Sequence, residues 1–185
     1  MRKNFGAKPW TYPQPVLIIA TYDENGNPDA MNAVWGGLYD GNKVELCLSA
    51  GHKTTKNIRA TGAFTVSFAD AANVVASDYV GLASANTEPN KMEKSGFHLT
   101  KSEFVNAPLI DELPVAMECK LIKINEDGNV IGEIVNVSAD ESVLGEDGNI
   151  DFSKFRPISF EPVHNGYHVL GERVGNAFQD GAALK

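Results

Sequence analysis

Apolar and β-branched residues fall along this chain in short runs separated by turn-forming residues, a pattern that predicts strands more than helices. Val16-Leu17-Ile18-Ile19-Ala20-Thr21-Tyr22 is a continuous run of strand length, followed by turn chemistry in Asp23-Glu24-Asn25-Gly26-Asn27-Pro28. Asn-Gly tolerates the positive φ of a tight turn. Ala30 to Trp35 reads as the return strand, ended by Gly36-Gly37, and Asp40-Gly41-Asn42 marks a second turn. Val44 to Ser49 alternates, with Val44, Leu46 and Leu48 on one face. A short helix is expected next, with Thr54 or Thr55 as its cap, Ile58 and Arg59 in its body, and Gly62 where a terminating glycine belongs.

Ala63 to Phe68 is another strand, Asp70 to about Ala83 reads as a helix with a mediocre apolar stripe, and Lys91 to Ser95 as a helical turn before Gly96. Pro108, Pro114, Asp111 and Glu112 make the middle a poor continuous element. Val115 to Ile124 and Val130 to Val137, joined through Glu126-Asp127-Gly128-Asn129, form a strong hairpin signal; Ile158-Ser159-Phe160 follows, and the Gly-rich tail from Tyr167 to Lys185 reads as irregular. Six or more strands with two or three short helices, and no regular βα alternation, predict a mainly β antiparallel barrel with helices packed outside it. One domain over residues 1–185 is expected.

Composition narrows the function classes. The chain carries 16 Lys and Arg against 24 Asp and Glu, a formal net charge of −8. That balance argues against nucleic acid as a partner, whose affinity rests on clustered cations, and against an anionic membrane surface. No apolar run reaches the roughly 18 residues a spanning helix needs. Met1 to Gly6 shows no apolar leader, so a cytoplasmic chain without a signal peptide is expected. Cys47 and Cys119 lie in strand-like stretches expected to bury them and form no CxxC.

Against this acidic background, Ser49-Ala50-Gly51-His52-Lys53-Thr54-Thr55-Lys56-Asn57 stands out: it brings His52, Lys53, Lys56, two hydroxyls and an amide to a predicted helix N-terminus just after a strand. Unpaired N–H groups and partial positive charge at such a terminus suit a phosphate, with Lys53 adding a point charge and Thr54 and Thr55 able to donate; a capped surface helix with solvated cations is the plain alternative. Met31-Asn32-Ala33-Val34-Trp35-Gly36-Gly37 sets small residues beside an aromatic, where a flat ring could approach the backbone and Asn32 could bond its edge; alternatively Trp35 is core and the diglycine a turn. Glu161, His164 and His168 invite a metal reading, which Pro162 and Asn165-Gly166 weaken by preventing a shared helical face. No GxSxG, GxGxxG or P-loop pattern is present.

Tyr12-Pro13-Gln14-Pro15-Val16, Ala30 to Gly37, Gly51 to Ile58 and Thr61 to Val66 together resemble the flavin reductase-like, flavoredoxin-type family. Asp78-Tyr79-Val80-Gly81, Ala107 to Ile110, Met117 to Lys120, Ile131 to Val135, Tyr167 to Glu172 and Ala177-Phe178 follow in the family's order, so the resemblance covers nearly the whole chain. It implies an FMN-binding split β-barrel working as a homodimer, with Trp10, Tyr12, Trp35 and Phe178 as candidate interface aromatics. The flavin phosphate would fall to Ser49, His52, Lys53, Thr54, Thr55 and Asn57, the ring to Asn32, Ala33, Val34 and Trp35, and Lys91 would join the cofactor-binding set. No side chain is required as a catalytic acid or base, because the flavin carries the redox chemistry. The expected activity is electron transfer through FMN, from NADH, NADPH or a redox protein partner; a non-catalytic flavin-binding or storage module is the alternative.

Overall fold

The apolar run near the start of the chain becomes a strand buried on both faces, and the rest is built around it. The structure, a computed structural model, describes residues 1–185. In chain order the strands and helices are β1 (Gln14–Pro15), β2 (Leu17–Tyr22), β3 (Pro28–Ala33), β4 (Gly36–Asp40), β5 (Lys43–Leu46), α1 (Lys53–Thr61) and β6 (Ala63–Phe68). Then come α2 (Val74–Leu82), α3 (Lys91–Ser95), the small hairpin β7 (Leu99–Lys101) and β8 (Pro108–Ile110), and the long hairpin β9 (Val115–Ile124) and β10 (Val130–Ala139). β11 (Ile158–Glu161) and β12 (Gly166–Val169) pair with each other and with β1.

Seven strands form one antiparallel sheet in the order β3-β2-β6-β9-β10-β5-β4. Its two edge strands, β3 and β4, are consecutive in sequence and separated only by Val34 and Trp35. Six successive antiparallel pairings make β3 and β4 run in the same direction. Three peptide steps reach at most about 11 Å, so β4 continues from the end of β3, and this one run pairs with β2 at its start and with β5 at its end. The sheet is therefore rolled into a barrel whose seam is the β3–β4 junction. Gly36 sits at that seam: a Cβ there would stand 2.8 Å from Leu46 Cδ2 and 2.9 Å from the Glu45 carbonyl oxygen. Gly36-Gly37 thus opens a strand instead of ending one, and β3 stops at Ala33, short of Trp35.

Alternate residues of β2 feed two cores. Leu17 and Ile19 point into the barrel with Val44, Leu46, Phe64, Val66, Cys119 and Val130. Val16, Ile18 and Ala20 point outward, where Val80 of α2, Phe97, Ile110, Leu113 and Ile158 cover them. This two-sided burial is why the run is continuous and not alternating. Helix α1 packs across β2 and β3 and sends Ile58 into the barrel core.

Other expectations shift at their ends. Helix α2 begins at Val74 and not near Asp70, because the Asp70 carboxylate accepts the Asn73 N–H at 2.9 Å and holds that stretch in a turn. β5 ends at Leu46, and Cys47 is exposed, not buried. A short hairpin, β7–β8, forms in the middle region where no continuous element was expected. Tyr167, His168 and Val169, expected to be irregular, pair with β11 as β12.

Candidate functional site

The first turn of α1 leaves backbone donors without a partner. The chain leaves β5, turns so that the His52 N–H donates to the Ser49 carbonyl at 3.1 Å, and enters the helix with His52 as N-cap in an extended conformation. The cap is His52, not Thr54 or Thr55, and no side chain caps the helix. Lys56 is the first residue whose N–H turns back, to the His52 carbonyl at 3.1 Å. The N–H groups of Lys53, Thr54 and Thr55 find no acceptor in the protein. No acidic residue lies in this turn itself, so it holds three unpaired donors at the positive end of the helix dipole, an arrangement that attracts an anion. Gly62 ends the helix as anticipated, left-handed at φ 70°, with its N–H on the Ile58 carbonyl.

Beneath this turn lies a buried polar layer. The Thr54 hydroxyl donates to the Asp29 carboxylate at 2.5 Å, and Lys91 Nζ of α3 meets the other Asp29 oxygen at 3.1 Å. Asp29 is 1% and Lys91 3% exposed. Two sequence expectations change here: the Thr54 hydroxyl is spent on Asp29 and cannot donate outward as well, and the Lys91 ammonium ends inside the protein. Asn57 Nδ2 donates to the Thr21 hydroxyl at 3.0 Å, so this amide anchors α1 to β2. Thr55 Oγ1 is buried without any partner.

Lys53 is half-buried and its ammonium lies 3.3 Å from Asp23, in the β2–β3 turn. The Asp23 carboxyl is held down to about 2, first by the Asn27 N–H, then by the Asn27 amide, the Asn25 N–H and Lys53. A depressed carboxyl stabilises the fold above its unfolded value of about 3.9 and loses that contribution as pH falls through about 2. We therefore expect Asp23→Asn to be less stable than wild type at neutral pH, with the difference closing as pH falls from about 4 towards 2; urea unfolding across that range checks it. A gap that persisted unchanged at the acid end would contradict the assignment.

Asn86 completes the rim. Its amide donates to the Gly51 carbonyl at 3.1 Å and accepts from Lys56 Nζ at 3.0 Å, so the loop after α2 folds back against the start of α1. Ser49 and His52 are exposed on the approach to the helix. Sequence reasoning overlooked Asp23, Asp29 and Asn86. A carboxylate directly after Pro28 at a strand start was the one available signal, since a buried acid demands a partner.

The ring-contact stretch is divided among different environments. Asn32 Nδ2 donates to the Ser77 carbonyl of α2 at 2.9 Å, and α2 approaches so closely that a Cβ on Gly81 would lie 2.9 Å from Asn32 Cβ. Ala33 belongs to the barrel core and Val34 packs against the outer core. Trp35 is 56% exposed at the seam, and its carbonyl accepts the Cys47 N–H at 2.8 Å. Nearby, the Tyr167 hydroxyl donates to Asp78 at 2.8 Å and is pushed up to about 12 by burial and by that carboxylate. Candidates for other chemistries fall away. Burial pushes the Cys119 thiol up to about 12, leaving it inert. Glu161 receives the His164 ring at 3.3 Å, yet no group of three His, Cys, Asp or Glu side chains is arranged to hold a metal. No helix is long and apolar enough to cross a membrane.

Residues 10–159 match the family model described as the flavin reductase like domain. The flavoredoxin of Desulfovibrio vulgaris (Miyazaki F) is 37% identical, with a TM-score of 0.94 over 98% of this chain and 100% of its own. An FMN-binding domain of a flavin reductases-like enzyme from Shewanella baltica OS155 superimposes with a TM-score of 0.78 over 88% of this chain and 89% of its own; at 21% identity that likeness concerns the fold. An uncharacterized protein of Aquifex aeolicus (strain VF5) is 36% identical over 74 residues, a stretch spanning 38% of this chain and 38% of that curated relative.

Proposed function

Because the chain belongs to the flavin reductase-like domain family, we propose that it is an FMN-binding oxidoreductase that passes electrons from a reduced nicotinamide or a redox protein through the flavin. One observation carries this reading: the three unclaimed N–H groups of Lys53, Thr54 and Thr55, in a first turn without carboxylates. The residues present fit a phosphate. Lys53 supplies a half-buried ammonium, and Thr55 Oγ1 is an orphaned polar atom in the same turn. Ser49 and His52 stand exposed at the entrance, while Thr54 and Asn57 fix the helix to β3 and β2.

The second half of the site is the β3 seam. At about 3.3 Å per residue, Asn32 lies roughly 10 Å along β3 from Asp29, the scale of a sugar-alcohol chain joining a phosphate to a ring. With its side chain tied to Ser77, Asn32 steadies the strand, and backbone groups of Ala33 and Val34 together with the exposed Trp35 ring are left to meet a flat ligand. FMN, when bound, supplies the redox chemistry; the chain binds the phosphate, sets the ring against the seam and provides no acid or base.

We further propose that the protein acts as a homodimer. Trp35, Leu38 and Tyr39 expose apolar surface at the seam, and Tyr12 and Phe178 expose two more rings; Trp10, partly covered by Phe5, is less available. Oxidation of NADH and NADPH with and without added FMN tests the activity. FMN-dependent oxidation marks a reductase. Bound flavin without nicotinamide oxidation marks a carrier or a storage module. A flavin-free preparation whose melting temperature is unmoved by FMN overturns the flavin reading, since any ligand of the native state raises it.

A further inference from the structure

The buried Asp29–Lys91 pair is placed where its charge matters to the neighbouring helix terminus. Asp29 holds Thr54, the second residue of α1, through a 2.5 Å hydrogen bond, so a carboxylate lies one hydroxyl away from the unpaired N–H groups of the first turn. Alone, that negative charge would oppose an anion seated on the same turn, and burial would leave it little screened. Lys91 reaches the carboxylate from α3, 62 residues later, at 3.1 Å, and is itself 3% exposed. No other cation contacts Asp29; Lys53 is engaged by Asp23, and Lys56 by Asn86.

We propose that Lys91 is a positioning and charge-balancing residue, which neutralises Asp29 so that Thr54 can anchor the start of α1 without the site repelling a phosphate monoester. This deepens the flavin reading and rests on it: Lys91 acts on the phosphate through Asp29 and touches no ligand. A purely structural pair would hold α3 to β3 and affect every ligand alike. A charge-balancing pair instead changes the preference for a phosphorylated ligand over its dephosphorylated form, with opposite signs for the two partners.

The experiment measures dissociation constants for FMN and for riboflavin, which lacks the phosphate, by fluorescence titration at 25 °C. It uses wild type, Lys91→Met, Asp29→Asn and the double variant, each checked for folding by circular dichroism. The expected preference for FMN over riboflavin falls about tenfold in Lys91→Met, rises in Asp29→Asn, and returns close to wild type in the double variant. Should Lys91→Met fail to fold, the rise in Asp29→Asn and its reversal in the double variant decide the matter. Equal changes for both flavins, changes of the same sign, or a double variant that does not return would overturn the proposal. If wild type binds neither flavin, the flavin reading itself fails and takes the proposal with it. If wild type binds both flavins equally, the phosphate placement is wrong.

Discussion

Replacing Phe64 with Ala is expected to lower the unfolding free energy by about 3–5 kcal/mol, a fall in Tm of about 10 °C for a chain of this size. Phe64 is wholly buried in the barrel core between β2 and β9. Its ring lies so close to Gly132 of β10 that an added Cβ there would sit 2.4 Å from Phe64 Cζ. The ring therefore fills the space that a side chain at 132 would otherwise occupy, and the rolled sheet has nothing else at hand to close the hole. Thermal and urea unfolding measure the loss. A change below about 1 kcal/mol would mean that the barrel collapses around the site, contrary to the close packing described.

The second large effect is expected from Asp29→Ala, which strands the Lys91 ammonium in the interior and removes the acceptor of the Thr54 hydroxyl. Breaking one side of a buried ion pair costs about 3–5 kcal/mol, more than Asp29→Asn, which keeps the side-chain volume and one acceptor oxygen for one of the two donors. Removing both charges together, as in Asp29→Asn with Lys91→Met, should recover much of that loss, because no uncompensated charge is then left inside. Urea unfolding of the three proteins gives the comparison. A double variant as unstable as Asp29→Ala would show that the pair holds the fold by its hydrogen bonds and not by its charge balance.

Local signals placed several elements well. Ala63–Phe68, Val115–Ile124 and Lys91–Ser95 lie where periodicity and the flanking glycines put them. The left-handed Gly62 and Gly96 end their helices as their composition implies. What stayed hidden depends on contacts distant in sequence. Gly36-Gly37 looks like a turn by composition, yet it begins a strand because the seam brings Leu46 and Glu45 against it. Tyr167 to Val169 carries little strand signal of its own and is ordered by pairing with β11.

The site follows the same division. The helix start was legible, because its cations, hydroxyls and amide are contiguous in an acidic chain. How they are used was not. Thr54 and Thr55 are neighbours of one type; one is committed to Asp29 and the other has no partner. Lys91 reads, by resemblance, as a cofactor-binding cation until the fold sets it against an acid that follows Pro28. Asn32 reads as a ring-edge donor until α2 arrives to claim its amide.

The most direct test of the central claim is a titration of the purified chain with FMN, followed in the visible absorbance and fluorescence of the flavin. Saturable binding that weakens when Lys53 is replaced by Ala, and that is weaker for riboflavin than for FMN, is the expected result. A signal that never saturates, or binding indifferent both to Lys53 and to the phosphate, would contradict the assignment of the α1 terminus as the flavin phosphate site.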